Sequence, residues 1–103
     1  MDIKLLLGKR IQELRKAKNF TQEYMAELMG IETASLSNIE RGKYYPTAEN
    51  LNKILIILGV EPDELFCFRH LAPYKDLLRE MTQVLEKNEN LTRTVYKFYK
   101  LVK

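Results

Sequence analysis

The sequence predicts an all-α fold, and three observations carry that prediction. Apolar residues recur at steps of three and four along most of the chain, the spacing of a helix face. No segment alternates polar and apolar residues with period two, so strands are not expected. Glycine or asparagine closes most apolar runs, while threonine or proline opens several of the next, as helix caps do.

The first helix is read from Ile3, Leu7, Ile11 and Leu14, a stripe at steps of four, four and three. Asn19 is suited to the left-handed position that ends it. Thr21 is the N-cap of a second helix, with Phe20 and Met25 spaced as a hydrophobic staple; Tyr24 stands where a capping box needs Glu or Gln. Gly30 ends this helix. Leu36 and Ile39 mark a third, closed by Gly42. Thr47 opens a fourth with Leu51, Ile54, Leu55 and Leu58, closed by Gly59. Pro62 fits the first position of a short fifth helix, where Asp63 and Glu64 complement the dipole. The pattern breaks over Cys67 to Pro73, with Ala72-Pro73 as the linker. Two helices then follow, striped by Leu77, Met81, Val84 and Leu85 and by Leu91, Val95, Phe98 and Val102, with Asn88-Glu89-Asn90 as the turn between them.

Composition narrows the function classes. The 103 residues suit one domain of ordinary size, 46% hydrophobic for a core and 30% charged for a solvated surface. No apolar run of membrane-spanning length and no basic leader with a small-residue cleavage site are seen, so a cytoplasmic protein without membrane contact is expected. One cysteine (Cys67) and one histidine (His70) give neither a disulfide nor a metal cluster. Cys67 reads as an inert, half-buried residue. No acid/base or nucleophile constellation is visible, so neither an enzyme nor a cofactor is expected. The net charge of +3 is concentrated in the tail: residues 1–66 balance at −1 and residues 67–103 at +4. Charge alone therefore does not point to nucleic acid.

Gln22 to Arg41 is the informative stretch. Two short helices crossing steeply over a three- to four-residue turn make specific demands. A small residue is needed where they approach, and Ala26 supplies it. Gly30 frees the turn, Ile31 plugs the core, and Leu36 and Ile39 bury one side of the third helix while its other side faces outward.

This stretch resembles the Cro and phage-repressor type (XRE-like) of helix-turn-helix transcriptional regulators. The resemblance covers roughly residues 5–66 and is most specific at Thr21-Gln22, Ala26, Gly30-Ile31, Ile39-Glu40-Arg41-Gly42-Lys43, Pro46-Thr47 and Leu58-Gly59-Val60. It implies a five-helix repressor-like domain over 1–68, with the third helix entering the major groove of double-stranded DNA. By position, it implies that Gln22 contacts phosphate and that Thr33, Ala34, Ser37 and Asn38 read bases. Asn38 is suited to bidentate pairing with adenine, and Ala34 to a thymine methyl. Arg41, Lys43 and Tyr45 take phosphate roles. Arg15 and Glu40 match a structural ion pair between the first and third helices. Glu32 departs from the family pattern, which favours serine or threonine as the third helix's cap. Its carboxylate is expected either to lie back and cap that helix, or to weaken DNA binding or select a cytosine amine.

The wide apolar stripes of residues 73–103 are too extensive for a short hairpin to bury alone. They are expected to form a homodimerisation segment, so that two copies read an inverted-repeat operator as a repressor. The alternative is an antitoxin-like interaction module that acts on a protein partner through the same helices.

Overall fold

The computed structural model describes residues 2–102, and among these it is all-helical. The helices are α1 (Ile3–Ala17), α2 (Gln22–Met29), α3 (Thr33–Glu40), α4 (Ala48–Leu58), α5 (Pro62–Leu65), α6 (Tyr74–Lys87) and α7 (Glu89–Val102), with a single 3-10 turn at Arg69–Leu71. The chain divides into two compact units, Met1–Arg69 and His70–Lys103.

In the first unit five helices enclose one core. Leu7 and Ile11 of α1, Met25, Ala26 and Met29 of α2, Leu36 and Ile39 of α3, Ile54 and Leu58 of α4 and Leu65 of α5 are all buried. Every helix supplies at least one side chain. Because none can exclude water from its apolar face alone, the five form together.

The ends of the helices explain the sharp turns. After α1, α2 and α4 the chain closes with paired backbone bonds of Schellman type, for example Phe20 N to Arg15 O at 3.1 Å with Asn19 N to Lys16 O at 2.9 Å. Asn19 takes the left-handed conformation there, with φ 60°. At the α2–α3 turn Gly30 has φ 72° and open space where a Cβ would sit, so backbone conformation alone requires glycine. Thr21 and Thr47 cap their helices by accepting from Tyr24 N at 3.0 Å and Asn50 N at 3.1 Å. Phe20 meets Tyr24 edge-on, ring centroids 5.1 Å apart, while Met25 lies in the core.

Two details differ from the sequence reading. Cys67 is exposed rather than half-buried. The turn in the tail is narrower than Asn88-Glu89-Asn90: Glu89 and Asn90 are already helical. Asn88 closes α6 and also caps α7, its Oδ1 accepting from Leu91 N at 2.9 Å, so one extended residue serves both ends.

The second unit pairs α6 with α7, and Thr92 Oγ1 donates across to Leu85 O at 2.7 Å. Neither helix contains a buried residue. Met81 is 53% exposed, Val95 42% and Phe98 65%. Among the described residues no helix is long and apolar enough to cross a membrane.

Candidate nucleic-acid interface

The candidate surface is built on α2, α3 and the turn after α3, and a buried ion pair holds these pieces together. Arg15 of α1 reaches Glu40, the last residue of α3, with Nε to Oε2 at 2.7 Å and Nη2 to Oε1 at 3.1 Å. Its third nitrogen, Nη1, donates to Phe20 O at 2.7 Å and thereby fixes the turn before α2. Gln22, the first residue of α2, completes the cluster by donating Nε2 to Glu40 Oε1 at 2.9 Å. Arg15 and Glu40 are 6% and 4% exposed, so water has little access to either charge. A buried pair of this kind holds only when its donors and acceptors are matched, as they are here. One side-chain cluster thus sets α1, α2 and α3 against each other. Gln22 has two amide hydrogens, and the bond to Glu40 uses one of them.

A second constraint works by contact rather than charge. Gly8 sits where α1 crosses the end of α3, and a Cβ there would lie 2.4 Å from Ile39 O and 2.5 Å from Glu40 O. The helix backbones therefore touch at Gly8. Ala26, the small residue expected where α2 approaches α3, is buried, whereas this contact between α1 and α3 is not among the sequence expectations; a glycine inside an otherwise strong helix is the available signal.

α3 buries Leu36 and Ile39, which turns its other side outward. Thr33 and Ala34 are exposed, while Ser37 and Asn38 are half-buried. Ser35, not singled out by the sequence, is exposed as well. Glu32 is the N-cap residue of α3 in extended conformation, yet its side chain makes no capping bond. Its backbone carbonyl accepts from Ser35 N at 3.0 Å, and the carboxylate is left in solvent. Expected capping by that carboxylate is thereby corrected. The Glu side chain is longer than the Ser, Thr or Asp that close this ring most readily.

The turn after α3 carries the basic residues. Gly42 has φ 76°, and a Cβ on it would fall 2.7 Å from Leu5 Cα, so both conformation and packing demand glycine. This turn projects Arg41, Lys43, Tyr44 and Tyr45 into solvent. Lys43 Nζ lies 5.6 Å from the centre of the Tyr44 ring, a cation–π contact that supports the ammonium without neutralising it. Arg41 turns back along α3, and its Nη2 donates to Asn38 Oδ1. One lone pair of the oxygen that an adenine contact would use is therefore engaged by a neighbouring guanidinium.

Basic residues on α1 divide differently. Arg10 donates Nε to Glu64 O at 3.0 Å and pairs with Glu13, so it ties α1 to the end of α5.

Comparison with known proteins matches the helix-turn-helix family model to residues 11–65. The chain is 40% identical over 58 residues to the uncharacterised HTH-type transcriptional regulator YazB of Bacillus subtilis, covering 56% of this chain and 84% of that protein. In four further relatives the match covers only 28–61% of the relative's own length. Among solved structures it resembles the restriction-modification controller protein C.AhdI of Aeromonas hydrophila, with TM-score 0.57, 37% identity and coverage of 60% of this chain and 94% of that one. It also resembles a chain of the SinR protein/SinI protein complex, with TM-score 0.59, 26% identity and coverage of 94% and 99%.

Proposed function

The chain belongs to the helix-turn-helix family of DNA-binding transcriptional regulators, and from that premise we propose that it is a homodimeric repressor reading an inverted-repeat operator. The observation that carries this reading is α3 itself. Its inward side is locked by Leu36, Ile39 and the Arg15–Glu40–Gln22 cluster, while Thr33, Ala34, Ser37 and Asn38 are directed away from the core. A helix held this rigidly along one side presents the other at a fixed angle, as major-groove docking requires.

The roles follow from position. Residues 1–68 act as the DNA-binding domain. Thr33, Ala34, Ser37 and Asn38 meet base edges. Gln22 uses its remaining amide hydrogen on a phosphate beside the N-terminus of α2, where the helix dipole favours an anion. Lys43, supported by Tyr44, and the exposed Tyr45 contact the backbone on the other side. Repression acts by occupancy: a bound dimer excludes other proteins from the promoter. No step of this action requires an enzymatic group or a cofactor.

Residues 73–103 supply the dimer. Their apolar stripes stay exposed within the hairpin, and a small uncharged reading surface gains affinity and specificity when two copies span half-sites one helical turn apart. The same exposed helices favour a second reading, in which the tail docks a different protein. Likeness to a chain from a complex of two proteins adds to it.

Selection from a random duplex pool, followed by anisotropy titration at several salt concentrations, tests the proposal. A symmetric selected motif and a steep negative dependence on salt are expected. Equal affinity for every duplex would reject it. A monomeric chain that retains its selected motif would move the tail to the second reading.

A further inference from the structure

We propose that Asn38 and Arg41 read one guanine in each half-site as a joined pair. The inference rests on placement of α3 in the major groove and refines what it reads there. Arg41 lies one helical turn beyond Asn38, and its Nη2 donates to Asn38 Oδ1. A guanidinium has donors only, so the amide oxygen is the atom it must take, and that bond decides which way the amide points. The Asn38 backbone is also fixed, because its carbonyl accepts from Lys43 N at 2.9 Å across the Gly42 turn. Glu40, the nearest carboxylate in sequence, does not compete for Arg41, since Arg15 and Gln22 already occupy it.

This orientation changes the base that fits. With its oxygen turned to Arg41, Asn38 offers its Nδ2 hydrogens, which no group among the described residues accepts. The remaining hydrogens of Arg41 are donors too. The pair therefore presents mostly donors, with one lone pair of Oδ1 left beside them. Adenine presents one acceptor and one donor on its major-groove edge, so it can engage Asn38 but leaves the Arg41 hydrogens without an acceptor on the same base. Cytosine presents a donor. Thymine presents a single acceptor beside a methyl group. Guanine presents N7 and O6, two acceptors side by side, and matches both residues at once. Arg41 thus joins the base-reading residues instead of serving as a phosphate contact, and the pair favours guanine over the adenine that Asn38 alone suggests.

The test is duplex selection with the full chain and with its Asn38→Ala, Arg41→Ala and Arg41→Lys variants, then anisotropy titration on the wild-type site and on its single-base-pair variants. The wild type is expected to enrich guanine at one position per half-site, and changing that guanine to adenine should weaken binding by roughly 5- to 150-fold. Asn38→Ala and Arg41→Ala should each abolish preference at that same position, with the double variant no worse there than either single one. Arg41→Lys keeps the charge but not the fork and should lose the preference as well. The pair is overturned if the position lost in Asn38→Ala is an adenine, or if Arg41→Ala weakens all sequences alike with every preference intact. A wild-type chain that enriches nothing would overturn the groove placement, and the pair with it, which is a different result from losing guanine alone.

Discussion

Glu40 accepts from Arg15 and Gln22 inside the fold, while Arg15 also holds the carbonyl of Phe20. Removing the carboxylate would leave a guanidinium buried without its counter-charge. Glu40→Ala should therefore cost about 3–5 kcal/mol in urea unfolding, far more than an exposed ion pair is worth. Gly8→Ala tests the other fixed point: a methyl placed 2.4 Å from Ile39 O forces α1 and α3 apart. It should lower stability by about 1–3 kcal/mol, as overpacking does, and weaken DNA binding through the displaced α3. Lys43 behaves differently, because its side chain is exposed and its ammonium lies over the Tyr44 ring. Lys43→Ala should leave the unfolding midpoint in place, weaken every duplex alike, and flatten the log–log salt slope by about one. Loss of preference at a single base position instead would make Lys43 a base-reading residue.

The scale of the helix brings in Glu32. α3 has only eight residues, and its N-cap side chain makes no bond to the helix. Serine at this position is short enough to reach back to the helix amides, and it removes a negative charge beside the proposed phosphate surface. Glu32→Ser should stabilise the protein by about 0.5–1 kcal/mol and tighten DNA binding, seen as a higher thermal midpoint together with a lower Kd. A tighter complex without a higher midpoint would show that charge alone matters there. Capping elsewhere was legible in the sequence because Thr21 and Thr47 are followed three residues later by the amides they accept. The Asn88 turn was not, since Asn88 and Asn90 are each suited to cap a helix; the Oδ1 bond to Leu91 N decides which of them stays outside it.

At the scale of the molecule, the two units contrast in burial. The first encloses ten buried apolar side chains, while α6 and α7 contain none. Apolar stripes left open at Met81, Val95 and Phe98 are a liability unless a second surface covers them. Val95→Glu combined with Met81→Glu should convert the proposed dimer to a monomer in sedimentation, with little loss of helix by circular dichroism. On the selected palindrome the same double variant should lose cooperativity and affinity but keep its half-site preference. A dimer that persists would place the interface outside residues 73–103.

What the sequence determined by itself is local or periodic. Spacing of Leu7, Ile11, Leu36 and Ile39 reported which side of each helix faces the core, because burial repeats with the helical turn. Gly30, Asn19 and the capping threonines reported where helices stop and start, because caps are made by residues within a few positions of one another. The resemblance named Arg15 and Glu40 as partners 25 residues apart. Tertiary structure decided what depends on distance in space. It brought Gln22 onto the same carboxylate, pressed the backbone of α1 against α3 at Gly8, and left the Glu32 carboxylate without a capping bond. It also turned Arg41 onto Asn38, because Gly42 reverses the chain just beyond α3 and the two residues share one face of its last turn. A sequence gives each side chain its donors and acceptors; only the folded chain shows which are already spent and which remain for DNA.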